Sequence, residues 1–301
     1  MGMEGAMKNS HQEVDIPLPD GTLRVLVWGH GSRPAVAVHG ITASAMSWQA
    51  VARAMPADWT LYALDLRGRG HSAGLPGPYG LDRHVADLLA AIRHLRLTRP
   101  VLAGHSLGAY ISLLAMASHA SMFGGLLLVD GGPPLPVPDG ADLDAMIAAT
   151  LGPALARLQE TYPTVEAYFD FWRAHPALAD TWNRDIEDYL RYDLTGPDGA
   201  LRSRVVEEAV RADGRELLGS GARFGAALRG LTVPARMLTA PAGLFGRPPG
   251  LLPAELCRRW LAEAPMLTAD TVPGSNHYTL VFDPAHAVTV AERLTQAPPP
   301  P

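Results

Sequence analysis

The chain has a single cysteine in 301 residues, Cys257, so no disulfide framework or cysteine-rich metal site can be built from it. It has a single lysine, Lys8. The other basic side chains are arginines scattered without forming a basic stripe, and the formal net charge is −5. That balance argues against a nucleic-acid partner. No apolar run reaches the ~18 residues of a membrane span, and the first residues lack a charged-then-apolar secretory signal. No membrane partner is expected, and a cytoplasmic location is the default. Gly68 and Gly70 lack the strand-and-helix context of a dinucleotide fingerprint, and no metal-ligand cluster is evident. Neither cofactor nor metal is expected. What remains is an ordinary globular composition, 48% apolar and 18% charged, long enough to bury a sizeable core.

Short apolar strands alternate with helical patterns along the chain. Glu13 to Ile16 and Thr22 to Trp28 read as a hairpin around Pro19-Asp20-Gly21. Ala35 to Val38 is a buried strand, Ser44 to Met55 a helix and Trp59 to Leu64 the next strand. Leu81 to Leu97 carries apolar residues at helical spacing. Pro100 to Ala103 and Gly125 to Val129 are further strands. After a proline-rich exit no buried strand appears until about Pro234. The interval holds nine of the twenty aromatics, among them Tyr168, Trp172, Trp182 and Tyr189. Strand Ala235 to Thr239, helix Ala254 to Ala264, strand Leu267 to Val272 and helix Pro284 to Leu294 resume the rhythm. Such alternation predicts an α/β fold with a mostly parallel, helix-covered sheet. The expected organisation is a core over 13–135, a helical cap over 136–230 and a second core part over 231–296. Residues 1–12 and 297–301 are expected to be flexible tails.

The stretch that organises the rest is Gly104-His105-Ser106-Leu107-Gly108, which lies between a predicted strand and a helical pattern from Leu107 to His119. Strand, sharp turn and helix is the context of a nucleophile elbow, which lifts a serine hydroxyl above the sheet. On the pentapeptide alone, a turn with a helix-capping serine is the alternative. Three further signatures follow in order: His39-Gly40; Asp65-Leu66-Arg67-Gly68-Arg69-Gly70-His71-Ser72; and Gly274-Ser275-Asn276-His277. Together these motifs resemble the α/β-hydrolase superfamily from about residue 14 to 296.

The resemblance implies an eight-stranded, mostly parallel sheet with the site at the carboxyl ends of its strands. It implies Ser106 as nucleophile and His277 as base, with backbone N–H groups of Ile41 and Leu107 as oxyanion donors. His39 is expected to brace the oxyanion loop and Asp65 to brace the glycine-rich turn. Many relatives place the orienting acid after the strand that follows the cap, but residues 235–246 contain no carboxylate. Asp130, at the end of the preceding strand, is the expected acid, with Asp270 and Asp283 as weaker alternatives. Gly40, His105, Trp172, Trp182 and Tyr278 are the expected pocket residues, with at least one cap aromatic facing Ser106.

A serine rather than an aspartate at the elbow points to hydrolysis through an acyl-enzyme. The expected substrate is an uncharged, moderately bulky carboxylic ester or lactone, taken by a monomer or small homo-oligomer. Carbon–carbon bond hydrolysis or cofactor-free perhydrolysis on the same triad is the alternative, and a non-catalytic ligand receptor is a third reading.

Overall fold

In the computed structural model, which describes residues 10–296, ten strands and eleven α-helices follow the alternation of apolar segments. The strands are β1 (Gln12–Leu18), β2 (Gly21–Trp28), β3 (Arg33–Val38), β4 (Trp59–Leu64), β5 (Val101–His105), β6 (Gly125–Val129), β7 (Leu194–Thr195), β8 (Arg202–Ser203), β9 (Ala235–Thr239) and β10 (Leu267–Thr271). Eight form one sheet in the order β1-β2-β4-β3-β5-β6-β9-β10, and β7 pairs only with β8. Strand β2 runs antiparallel to both β1 and β4, while every other neighbour in the large sheet is parallel. Gln12, expected in a tail, already pairs with Val27; residues 1–9 and 297–301 lie outside the described part.

The two-residue period of the strands divides the core. Val36, Val38, Leu102, Leu126 and Leu128 face one layer, which holds α2 (Leu81–His94) and α3 (Leu107–His119). Ala35, Ala37, Val101, Ala103, Leu127 and Val129 face the other, where Trp48 packs with α1 (Gln49–Ala54). Every residue of α3 from Leu107 to Met116 is buried, as expected of a helix apolar all round. Two expected helices differ at their ends. The first opens as a 3₁₀ turn at Ala45–Trp48, and α2 stops at His94 because Arg96 turns to φ 54°.

Between β6 and β9 lie α4 (Leu143–Gln159), α5 (Val165–Arg173), α6 (Arg184–Asp193), the β7–β8 ribbon, α7 (Glu207–Gly219) and α8 (Gly221–Arg229). Side chains of Asp142, Thr164 and Asn183 accept backbone N–H bonds at the starts of α4, α5 and α6, satisfying donors that the first turn leaves open. Phe224 of α8 packs on Tyr110 of α3 at 4.6 Å, so this last helix of the interval joins the sheet's helical layer. The chain continues through β9, α9 (Ala254–Glu263), β10, α10 (Thr279–Phe282) and α11 (Pro284–Thr295). Among the described residues no helix is long and apolar enough to cross a membrane.

The order β4-β3-β5 marks the point where successive connections leave in opposite directions along the sheet. Crevices at the carboxyl ends of strands beside such a switch are where open α/β sheets bind ligands.

Candidate active site

Ser106 occupies the residue between β5 and α3 with φ 55° and ψ −122°, a region that side chains seldom adopt. Its N–H donates to the Val129 carbonyl, and its carbonyl accepts from the Ala109 N–H, each at 2.9 Å. The turn closes because its flanking glycines lack side chains. A Cβ at Gly104 would sit 2.1 Å from the Gly108 carbonyl oxygen, and one at Gly108 would sit 2.1 Å from that of Val38. The surroundings over-determine the strained conformation, which is how such strain persists.

His277 and Asp130 meet beside this turn. His277 Nδ1 lies 2.7 Å from Asp130 Oδ2. An ionised carboxylate only accepts, so Nδ1 carries the proton and Nε2 keeps its lone pair. Asp130 is fully buried and is itself strained at φ 47°. Its N–H donates to the Leu238 carbonyl at 2.7 Å, and its Oδ1 accepts from the Ala240 N–H at 3.3 Å. Both partners come from β9 or the residue after it, which brings this carboxylate to the strand end whose own loop has none. Asp270 pairs with Arg293 and Asp283 caps α11, so neither faces His277. His105 Nε2 lies 2.9 Å from the His277 carbonyl and donates to it, with the two rings 4.6 Å apart. Burial, together with the neighbouring His277, drives the His105 pKa well below the usual histidine range, so it braces as a neutral ring.

The loop after β3 is held as closely. His39 Nδ1 donates to the Gly40 carbonyl at 2.7 Å, and His39 Nε2 accepts from the Leu66 N–H at 2.9 Å. Burial lowers its pKa to about 3, which keeps that neutral tautomer. A Cβ at Gly40 would stand 3.2 Å from Ser106 Cβ. The N–H groups of Ile41 and Leu107 donate to no other group of the described protein. Asp65 accepts from the N–H groups of Ala45 and His71 and from the Tyr192 hydroxyl, at 2.6 to 2.8 Å, and so braces the glycine-rich turn.

Over Ser106 lies a cavity of about 290 Å³, whose walls include Gly40, Ile41, His105, His277 and Tyr278. Of the aromatics between β6 and β9, Trp172 and Tyr189 line it. Trp182, expected in the pocket, does not. Its Nε1 donates to Glu187, and its ring is taken up by Phe169 at 5.7 Å and the Arg173 guanidinium at 4.7 Å, which hold it away from the cavity. Tyr168 also turns inward, donating to Asp193 at 2.5 Å. Sequence reasoning missed an aliphatic wall of Met146, Ile147 and Leu151 from α4 with Leu217 and Leu218 from α7. Those residues follow the same helical spacing as core residues, so only their three-dimensional placement distinguishes them. Leu244 and Leu251, from the loop after β9, complete the enclosure. No lysine, arginine, aspartate or glutamate lines the cavity, and no group of three metal-binding side chains exists among the described residues.

A helix-covered parallel sheet with a strained strand-to-helix serine at its carboxyl edge defines the α/β-hydrolase class. The chain belongs to the alpha/beta hydrolase family, whose model matches residues 35–293. Over 128 residues it is 31% identical to a serine hydrolase-like protein of Danio rerio, which covers 41% of this chain and 39% of that protein. The chain spans about two fifths to a half of the length of this and other curated relatives that it matches. A match along nearly the whole length is to 2-(acetamidomethylene)succinate hydrolase of Mesorhizobium japonicum, 27% identical over 294 residues and covering 94% and 95% of the two chains. Among solved structures, a thioesterase domain from the curacin biosynthetic pathway shares the fold at a TM-score of 0.77 and 18% identity, covering 96% of this chain and all of that one.

Proposed function

We propose that this hydrolase acts through Ser106, His277 and Asp130 on an uncharged, moderately bulky carboxylic ester or lactone. The observation that carries the reading is the 2.7 Å His277–Asp130 contact beside a strained serine in one apolar cavity. Ser106 Oγ attacks the acyl carbon while its proton passes to His277 Nε2. Asp130 holds the ring by Nδ1–H and balances the imidazolium that forms. The carbonyl oxygen gains negative charge and takes hydrogen bonds from the Ile41 and Leu107 N–H groups. The protonated His277 then returns its proton to the leaving alkoxide, giving an acyl-enzyme. Water activated by the same histidine releases the acid and restores Ser106.

The lining selects against charge. An ionised carboxylate entering an apolar cavity without a cation would lose its hydration uncompensated. The Mesorhizobium relative is named for a succinate, yet no cationic side chain is present here to receive one, so neutral acyl compounds are the better fit. The test is turnover of neutral p-nitrophenyl esters, lactones, thioesters and amides alongside carboxylated analogues. Neutral esters or lactones should lead, and Ser106→Ala should lower kcat on the order of 10³-fold with the fold intact. Preference for carboxylated analogues, or full activity in Ser106→Ala, would overturn the reading.

A further inference from the structure

Two arginines, both fully buried, reach the same loop, one from the core and one from the insert. Arg69, in the glycine-rich turn of the core, donates from Nε to the Ile41 carbonyl at 2.9 Å. Arg157, on α4 of the insert, donates from Nη2 to the Thr42 carbonyl at 2.7 Å. Each guanidinium is neutralised by an aspartate of the insert. Arg69 Nη1 pairs with Asp213 of α7 at 2.5 Å, and Arg157 Nη1 pairs with Asp193 of α6 at 2.8 Å. Asp213 also meets His84 Nε2 at 2.9 Å, and Arg157 Nη1 reaches Ser203 Oγ at 2.6 Å and the Tyr168 hydroxyl at 3.0 Å. With His39 on the Gly40 carbonyl, three successive carbonyls, at 40, 41 and 42, are each fixed by a buried side-chain donor.

We propose that Arg69 and Arg157 are positioning residues that clamp the oxyanion loop, so that seating of the helical insert sets the aim of the Ile41 N–H. This rests on the reading of Ser106 as nucleophile. The physical case is one of geometry rather than net charge, since both cations are paired. The Ile41 N–H shares a rigid peptide plane with the Gly40 carbonyl held by His39. Arg69 and Arg157 pin the next two planes at the Ile41 and Thr42 carbonyls, so the dihedral freedom through which that first plane could turn is restricted from the following side. Oxyanion donors act only when aimed at the position the oxygen will occupy, and loss of one costs about 10² to 10³ in kcat. A guanidinium suits the task because its planar fork serves an aspartate and a carbonyl at once, whereas an ammonium is a point donor on a flexible stem. The insert thus supplies three of the four charged members, Arg157, Asp193 and Asp213, and an insert displaced from the core would release the Thr42 carbonyl and leave Arg69 without its counter-ion.

The experiment is the second-order rate of Ser106 labelling by a fluorophosphonate, read with kcat and KM on a neutral p-nitrophenyl ester. In labelling, Ser106 Oγ forms a bond to phosphorus, fluoride leaves with the P–F electron pair, and the hydroxyl proton goes to His277. The phosphonyl oxygen meanwhile uses the same N–H donors. Arg157→Lys keeps a buried cation beside Asp193 but loses the fork to Thr42. It should label at least ~30-fold more slowly and lose kcat by a similar factor, with KM within about threefold. Arg69→Lys should do the same through Ile41 and serves if the Arg157 variant does not fold. Ser203→Ala removes a partner of Arg157 remote from the loop, and should lower the melting temperature while labelling within about threefold of the parent. Either lysine variant, folded and labelling at the parental rate, overturns the clamp. So does a loss in Ser203→Ala as large as theirs, because labelling would then follow stability alone. A parent that is not labelled at Ser106 instead defeats the serine reading, and the clamp with it.

Discussion

Asp130 and Ser106 are two of only four non-glycine residues with positive φ among those described, and both belong to the site. Backbone strain of this kind costs on the order of 1–3 kcal/mol and survives where the surroundings enforce it, so its coincidence with the chemistry is informative. Asp130→Asn preserves the shape but removes the charge and favours the wrong tautomer of His277. Loss of the orienting carboxylate costs about 10⁴ in a serine-protease triad, and here kcat should fall by at least ~10². Asp270→Asn and Asp283→Asn, which alter a surface ion pair and a helix cap, should stay within about tenfold of the parent in the same steady-state assay. An Asp130→Asn enzyme with near-parental kcat would reduce Asp130 to a turn residue.

At the level of elements, the insert carries two unlike walls, one with the rings of Trp172 and Tyr189 beside Ile186 and Leu190 from α5 and α6, the other wholly aliphatic or small from α4 and α7. Leu218→Ala enlarges the aliphatic side, and should shift the acyl-length optimum of a p-nitrophenyl ester series upward by one to a few carbons with little change in kcat for acetate. An unchanged length profile would place the acyl group against the aromatic wall instead. Trp182→Ala should leave KM and substrate ranking unaltered while lowering stability by roughly 1–2 kcal/mol, because that ring is half-buried among Phe169 and Arg173. This contrast also shows what a sequence can disclose. The sheet was legible because its strands are short apolar runs, Ser106 and Asp130 because each directly follows a strand, and His277 because it lies in the loop after the last one. Wall and clamp were not. Leu217 and Leu218 obey the same periodicity as core leucines. Arg69 and Arg157 are two of twenty-four arginines, with nothing local to mark them as buried. Trp182 misled because aromaticity reports a need for burial but not the cavity that is served.

Across the whole molecule, several groups are buried in a protonation state that mild acid disfavours, which makes stability pH-dependent. His39 binds its proton only near pH 3 when folded, because of burial, whereas an unfolded histidine does so near 6.5. Unfolding between those values therefore takes up a proton, and stability is lost as pH falls through the window. His105, also depressed by burial, adds a second proton of the same sign. Asp65 opposes them. Burial raises its pKa from 3.8 to about 6 despite hydrogen bonds from Tyr192, Ala45 and His71 that favour the anion. Between about 4 and 6 the folded state therefore keeps a proton that the unfolded chain has released, and this contribution is lost as pH rises. The uptake by His39 and His105 exceeds what Asp65 cancels, and His71, lowered to about 4 by burial, adds uptake of the same sign together with His11 and His175. Stability should therefore climb with pH by at least about 1.4 kcal/mol per unit. Carboxylates held low by ion pairs act mainly below this window; in Asp213, the charges of Arg69 and His84 outweigh an opposing burial effect. Urea unfolding at pH 4, 5 and 6 measures the slope. His39→Gln retains an amide donor and acceptor but cannot titrate, and should lower the slope by up to about 1.4 kcal/mol per unit. Asp65→Asn removes the opposing proton and should steepen it by up to about 1.4 kcal/mol per unit. Parental slopes in both variants would mean that buried groups elsewhere control the acid response.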